Sequence, residues 1–537
     1  MIETILQNSK GFNWSITEKI SVKGYLYDSS GNYFENAELI HHFSGVDSII
    51  DFKKKLNQSN GIFSVVIRFN DITCVASDKS RFFPLYYIQT EKGYCFSDIP
   101  LELIKKSKEV IMDEVQAEIF KTSGYTLGNQ TLIEGIKEVQ ASEYLIFRKQ
   151  KIIESGQFFS YVIEKENEAS YDNLKKKGAQ MLDKTFDRLI KSLKGRQVAL
   201  PLSGGYDSRL IAVMLKENGY ENVVCFTYGR KNNFELENSR ATAEKLGFKW
   251  VFVEYNRALI EGYFDTETFK EYALFAGNLS SMPYLQEFFA VKHLKSKGII
   301  NEDAIFIPGH SGDLLGGSQF VKVFKKGILK EDLSDQFFRK KFQFTRVRKQ
   351  SRKLVRLKVE DRFGEYLHFN DYLPYSVFED VDIKEKIAKL IVNSSAVFPF
   401  FNFQVRLPYW DDELMAFFKS IPAKFKLSKH LYDDLLKNCY FAKYEVNFES
   451  ELQPSHFQTK LQQLKDLFKV FLPHKFKLRL LIKNDWINYY EITKPMAKEI
   501  KFNYKNISNF NAVLAAWYLS FLQKQITLLV RKPEMMN

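Results

Sequence analysis

Residues Val198–Ser208 read V-A-L-P-L-S-G-G-Y-D-S, and the fold follows from how they are understood. Val198 to Leu202 is a short, bounded apolar run of the kind a buried strand makes. It breaks at Ser203-Gly204-Gly205, and from Arg209 the spacing of R-L-I-A-V-M-L-K predicts a helix. A strand, a tight glycine turn and a helix start form an anion cradle. The turn's N–H groups and the helix N-terminus favour a phosphate, and Gly204 and Gly205 let backbone approach it closely. Ser203 and Ser208 add hydroxyl donors, and Asp207 can hold a Mg²⁺ that bridges phosphates. No Lys-Ser or Lys-Thr follows the glycines, so the loop is not a Walker A loop. A glycine turn in an ordinary α/β protein is the plainer reading.

The flanking chain supports an α/β unit. Tyr171–Leu193 is a long amphipathic helix pattern leading into the strand, after a polar boundary at Glu164–Ser170. Beyond the loop come a second strand at Val223–Thr227 ending in Tyr228-Gly229, a helix at Asn238–Leu246 and a third strand at Trp250–Glu254. Alternating strands and helices predict a parallel sheet, whose strand ends at the switch point hold ligand. The last third is helical in pattern. Leu461, Leu464, Phe468 and Phe471 fall at helical spacing, and Ala512–Leu522 reads as a buried or amphipathic helix.

Residues up to about Tyr161 are rich in short β-prone runs: Ile20–Tyr27, Ile62–Phe69, Ile72–Ser77, Leu85–Gln89 and Gly93–Phe96. Turn residues such as Ser29-Ser30-Gly31-Asn32 and Asn70-Asp71 separate them, which predicts a β-sandwich.

The totals bound the rest. A chain of 537 residues, 45% hydrophobic and 27% charged, suits two or three folded domains and excludes a disordered protein. No apolar run reaches the roughly 20 residues a membrane helix needs, and the start lacks a signal-peptide pattern. Cys74, Cys95, Cys225 and Cys439 are isolated, which fits a reducing cytoplasm and argues against zinc or disulfides. Much of the net charge of +13 lies in Lys325–Lys358. That stretch is either a solvated helix face or a surface for nucleic acid, phosphorylated substrate or anionic membrane. No nucleic-acid motif accompanies it, so a nucleic-acid partner is not expected.

The order S-G-G-x-D-S resembles the pyrophosphate loop of the ATP pyrophosphatases (PP-loop, adenine nucleotide α hydrolase-like), which implies cleavage of ATP between the α- and β-phosphates. I-F-I-P-G-H-S-G-D-L-L-G-G at Ile305–Gly317 resembles the S-G-E-G-A-D-E-L-F-G-G segment of the asparagine synthetase family, one residue shorter before the final glycines. The resemblance makes Asp313 the second Mg²⁺–pyrophosphate carboxylate and sets Gly309 against the nucleoside. It implies adenine contacts at Phe226 and Tyr228, which are otherwise core aromatics. F-Q-V-R-L-P-Y-W-D-D-E-L at Phe403–Leu414 is similar to A-R-V-P-F-L-D-x-x-L, a segment that closes the synthetase site, with Arg406 and Asp411 its polar members. L-S-K-H-L at Leu427–Leu431 looks like G-K-x-L-L-R, so Lys429 inherits stabilisation of charge on the reaction intermediates. Asp433 or Asp434 stands where the family has arginine; a solvated lysine at a helix start is the alternative. At His310 asparagine synthetases carry Glu and β-lactam synthetases Tyr, while G-H-x-G-D also resembles the cyclases that close lasso peptides. That imidazole can be a base toward an attacking amine or a satisfied loop histidine.

In the N-terminal part, G-I-F-S-V-V-I at Gly61–Ile67 and A-S-D-K-S-R-F-F-P-L-Y-Y at Ala76–Tyr87 are similar to the class II glutamine amidotransferase domain of that family. Phe96-Ser97-Asp98 and Leu101–Ile104 look like its next strand and helix. The family's glutaminase uses an N-terminal cysteine as nucleophile and its own amine as base. Position 2 here is Ile2, no cysteine precedes Cys74, and G-N-Y-F-E-N from Gly31 replaces the glutamine-binding stretch.

The expected organisation is therefore an N-terminal-nucleophile-like β-sandwich at 1–165, amidotransferase-like but glutaminase-inactive, and a synthetase domain with a parallel sheet and helices at 170–537. The resemblance implies an ATP- and Mg²⁺-dependent ligase that adenylates a small-molecule carboxylate, such as aspartate or a sugar acid, and forms an amide. Nitrogen would come from free ammonia, a separate glutaminase partner or an amine on the substrate, the last as in β-lactam or lasso-peptide closure. A homodimer is compatible with the resemblance. A tRNA-modifying enzyme, which would need paired catalytic cysteines, and an inactive scaffold are the rivals.

Overall fold

The computed structural model describes residues 2–231, 233, 235–319, 329–448, 473–505 and 507–531. The helix pattern through Leu461 and Phe471, and Lys325 and Lys326 of the basic stretch, lie outside the described residues. The first eleven strands are β1 (Glu3–Ile5), β2 (Ser15–Ile16), β3 (Ile20–Tyr27), β4 (Tyr33–Glu35), β5 (Asn60–Phe69), β6 (Ile72–Ser77), β7 (Tyr86–Thr90), β8 (Gly93–Ser97), β9 (Ile136–Glu138), β10 (Glu143–Arg148) and β11 (Lys151–Gln157). They form a seven-stranded sheet, β11-β10-β6-β5-β3-β2 with β4 on β3, and a four-stranded sheet, β1-β8-β7-β9.

Alternation along β5 explains the layering. Val66, with Val75, Leu145 and Phe147, meets Tyr87, Phe96 and Val139 in an apolar cluster between the sheets. Val65 and Ile67 point the other way, against Phe43, Phe52 and Leu56 of the helices Glu38–Phe43 and Ile49–Asn57. Both faces of the central strands β5 and β6 are thus buried, which is why they read as nearly continuous apolar runs. The hairpin β10–β11 escapes the pattern reading for a definite reason. Its two-residue loop is Lys149-Gln150, both left-handed at φ +44° and +70°, where turn signals lead one to look for Asn or Gly.

The helix Tyr171–Leu193 is capped by Ser170, whose Oγ accepts from Asn173 N at 3.4 Å, and buries Leu174, Leu182, Phe186, Leu189 and Leu193 on one face. It delivers the chain to a five-stranded parallel sheet of β12 (Val198–Pro201), β13 (Val223–Gly229), β14 (Lys249–Glu254), β15 (Ile305–Phe306) and β16 (Gln404–Val405). The order is β14-β13-β12-β15-β16, all parallel, so the winding reverses between β12 and β15. In open α/β sheets ligands bind beyond the strand ends at that reversal. The helix after β12 begins at Tyr206, three residues before the apolar spacing from Arg209 suggests, which puts Asp207 and Ser208 in its first turn. No helix among the described residues is long and apolar enough to cross a membrane.

One apolar core runs from Phe12 and Tyr25 to Phe521 without a break. A buried charge cluster crosses the same junction. Lys389, fully buried, lies 2.9 Å from Glu138 Oε1 and 3.0 Å from Glu385 Oε2, Arg81 pairs with Glu138, and Arg362 with Glu385. Removing one member strands the others without water. Lys389→Ala is expected to cost about 3–5 kcal/mol, read as a lowered urea midpoint; an unchanged midpoint would mean the cluster is already hydrated.

Candidate functional site

Three segments meet in a cavity of about 440 Å³ at the switch point: the loop after β12, the loop after β15 and the turn around Lys429. The first loop is held in shape by its own serines. Ser203 N–H donates to Ser208 Oγ at 3.1 Å, Gly205 N–H to Ser203 Oγ at 3.2 Å, and the hydroxyls are 3.0 Å apart. Beneath it the buried Arg209 donates to Gly204 O at 2.6 Å and to Val446 O at 2.9 Å. The N-terminal turn of Tyr206–Glu217 opens toward the cavity, as an anion site requires.

The loop after β15 packs directly on this turn. A Cβ on Gly309 would fall 2.8 Å from Ser208 N, and one on Gly312 would fall 2.5 Å from Asp207 Cγ, so only glycine allows this approach. Asp313 N–H donates to Asp207 Oδ2 at 2.7 Å and Tyr432 O–H to Oδ1 at 3.0 Å, while Tyr409 O–H holds Asp207 O at 2.6 Å. Burial and the neighbouring Asp313 push the Asp207 carboxyl up to about 7, against the pull of Lys429. A buried carboxyl raised by a neighbouring carboxylate marks a place short of positive charge. Asp207 and Asp313 are the residues that would hold an oxygen-preferring divalent cation such as Mg²⁺. Gly312→Ala must displace the Asp207 carboxylate, and misplacement on the ångström scale costs roughly 10²-fold in rate. We expect that loss in ATP-dependent pyrophosphate release, with the far-ultraviolet circular dichroism unchanged.

The far wall is aromatic. Phe226 is fully buried and Tyr228 nearly so; Tyr228 stacks on Tyr255 (5.4 Å, 19°) and Trp486 (6.4 Å, 24°) and donates to Glu287 Oε1 at 2.9 Å. Burial pushes Glu287 up to about 7. His310 sits between this wall and the carboxylates, with Nε2 3.2 Å from Ser394 Oγ. Burial lowers its imidazole to about 4, against the pull of Asp313, which favours the neutral ring and makes it a weaker base than a solvated histidine. Lys429 also lines the cavity. Its backbone is left-handed (φ +57°), its ammonium lies 5.5 Å from the Tyr206 ring centroid, and Asp433 Oδ1 is 3.2 Å away.

The cavity thus gathers Ser203, Gly205, Asp207, Ser208, Phe226, Tyr228, Gly309, His310, Asp313 and Lys429, with Gly204 adjoining in the loop. Arg406 and Asp411 are not among them. Arg406 is wholly buried, stacks 4.4 Å from the Tyr25 ring centroid and bonds Tyr33 and Ser192. Asp411 caps the helix Asp412–Lys419 and pairs with Arg188 at 2.8 Å. Their segment sends its charges toward the N-terminal part and its aromatics inward, Tyr409 to Asp207 and Trp410 Nε1 to Ser311 Oγ at 3.2 Å. Of the two aspartates after Lys429, Asp433 faces it and Asp434 binds Lys175 and Tyr171. Trp486, Glu287 and Tyr432 were not anticipated; Y-D-D after His430 gave no cue that its tyrosine reaches the carboxylate.

Part of the basic stretch is engaged within the chain. Lys341 pairs with Asp382 at 2.8 Å, Arg348 with Glu118 at 2.6 Å, and Arg339 with Asp335 at 2.6 Å. Among the described residues no cluster of His, Cys, Asp and Glu suits a metal by protein ligands alone, and the cysteines are free, three of them buried.

A parallel sheet with a glycine loop and carboxylates at its switch point defines an open-sheet α/β protein, the class in which ligands bind at that reversal. Residues 181–440 match the asparagine synthase family model, so the chain carries an asparagine synthase domain over that span. It is similar to the microcin J25-processing protein McjC of Escherichia coli, 24% identical over 276 residues, 49% of this chain and 48% of that protein. A 61-residue stretch is 44% identical to argininosuccinate synthase of Hahella chejuensis, 11% of this chain and 15% of that one. The chain spans about half the length, or less, of these curated relatives. Among solved structures, the NH3-dependent NAD synthetase of Campylobacter jejuni aligns at 15% identity with a TM-score of 0.21, over 38% of this chain and 96% of that one.

Proposed function

We propose that this chain is an ATP-dependent amide-forming ligase that joins AMP to a carboxylate, releases pyrophosphate and passes the acyl group to ammonia or an amine. The convergence of the Ser203–Ser208 turn, Asp207, Asp313 and Lys429 on one cavity carries the reading. The turn binds the departing diphosphate through backbone N–H groups and the serine hydroxyls. Mg²⁺ held by Asp207 and Asp313 would supply the positive charge that bond cleavage at the α-phosphate calls for. Lys429 offsets charge on the acyl carbon's oxygen as the amine attacks, and neutral His310 takes the amine's proton. Gly309, Phe226 and Tyr228 line the nucleoside side.

On this reading residues 170–537 are the synthetase and 1–165 an amidotransferase-like domain without glutaminase chemistry, since position 2 is Ile2 and no cysteine precedes Cys74. The acceptor is a small carboxylate such as aspartate, a related acid or a sugar acid. A second reading, ring closure by an amine on the substrate itself, is favoured by His310 and by similarity to a microcin-processing protein. Pyrophosphate release from ATP and Mg²⁺ separates them: release with a small acid plus ammonium supports the first, release with a precursor peptide alone the second. RNA-dependent release, or none with any acceptor, would overturn both. Glutamine is expected to yield no glutamate and no product without added ammonium; glutamate formation would contradict the inactive N-terminal domain.

A further inference from the structure

A second cavity, about 380 Å³, lies where the N-terminal sandwich meets the helices of the second half, and it shares no lining residue with the first. Asn393 and Ala396 line it, whereas Ile391 and Ser394 of the same stretch line the nucleotide-side cavity. Its walls are rich in aromatic rings, with Trp14, Phe82, Phe83 and Phe275, and Phe82 meets Phe83 edge to face at 4.9 Å. A lysine stands inside. Lys23, on β3, is 1% exposed, and its Nζ lies 5.3 Å from the Phe83 ring centroid and 5.9 Å from that of Trp14.

An ammonium carries three donors, and burial without an anion is costly. Lys23 donates to Asn8 O at 2.6 Å and forms no ion pair among the described residues. Two acids line the cavity, Asp98 and Glu271, and Asp98 is already committed, accepting from Gln7 N and Asn8 N at 3.0 Å each and from Trp14 Nε1 at 2.6 Å. Burial lowers the amine to about 8, against the pull of Asp98. Within the fold the ammonium meets the Asn8 carbonyl and the two rings. The volume lies in the range of small-ligand pockets, about 300–1,000 Å³.

We propose that this cavity binds a free small organic acid with an aromatic body, its carboxylate on Lys23 and its ring among Trp14, Phe82, Phe83 and Phe275. Aromatic walls favour a ring over a chain through edge-to-face contacts, and a buried charged hydrogen bond sets the preference for an acid over its amide. This site is independent of the adenylation reading.

The test is calorimetric titration of the full chain with 3-phenylpropionate, 3-phenylpropionamide and octanoate. We expect the phenyl acid to bind at least about tenfold tighter than its amide and to lose a similar factor in Lys23→Met. Binding should persist with an ATP analogue present, and octanoate should bind more weakly. Equal affinity for acid and amide, no binding at millimolar acid, tighter binding of octanoate, displacement by the ATP analogue, or undiminished binding to a folded Lys23→Met chain would each overturn the proposal. If Lys23→Met does not fold, the acid–amide comparison on the unaltered chain decides.

Discussion

Asp207→Asn is expected to lower ATP-dependent pyrophosphate release by at least about 10²-fold while leaving the fold intact. The side chain is nearly isosteric, and an amide oxygen can still accept from Asp313 N–H, the contact that ties the two loops at 2.7 Å. What disappears is negative charge at the one point where both loops press a carboxylate against the diphosphate cradle. Apo protein should not be destabilised, because the lost charge is one that burial and Asp313 already disfavour. The discriminating pair of measurements is therefore turnover and thermal midpoint on the same sample. Turnover near the unaltered level would mean that Asp207 is only a strut between loops. A collapsed midpoint with lost turnover would leave its structural role dominant.

Lys429→Met should reduce kcat about 10²–10³-fold, the usual cost of removing one preorganised donor to developing negative charge, with the KM for ATP little changed. The reasoning starts from backbone. Ser428 and Lys429 both adopt left-handed φ of +57°, which turns the lysine out of the preceding short helix and over the Tyr206 ring at the cavity's edge. Two non-glycine residues in that region cost energy, and Tyr206 and Asp433 are what hold the side chain there. An ammonium whose task is the transition state moves kcat, whereas one that binds ground-state phosphate moves KM. Steady-state kinetics against ATP at saturating acceptor distinguish the two, and a pure KM effect would reassign Lys429 to nucleotide binding.

Much of this architecture was legible because two local signals coincide. Val198–Leu202 is bounded by the glycines that stop it, and the strand ends at Pro201, one residue short. The same holds for β3 and β6, whose runs Ile20–Tyr27 and Ile72–Ser77 form with unchanged bounds. Where turn chemistry is silent, as at Lys149-Gln150, the hairpin could not be read. The candidate site divides in the same way. Glycines that must lie against backbone, Gly309 and Gly312, sit in a recognisable loop. Trp486 reaches the aromatic wall from a segment more than 200 residues away in sequence, and nothing local marks it. Arg406 and Asp411 misled for a physical reason: the turn Pro408–Trp410 rotates the segment so that its aromatics, rather than its charges, face the carboxylates.

The central claim is that the turn after β12 grips the diphosphate of ATP. It is tested most directly by determining the structure of the chain with Mg²⁺ and α,β-methylene-ATP. The account predicts the β- and γ-phosphates against the N–H groups of Ser203–Ser208, with a cation between Asp207 and Asp313. A nucleotide bound elsewhere, or a cavity left empty at saturating analogue, would contradict it.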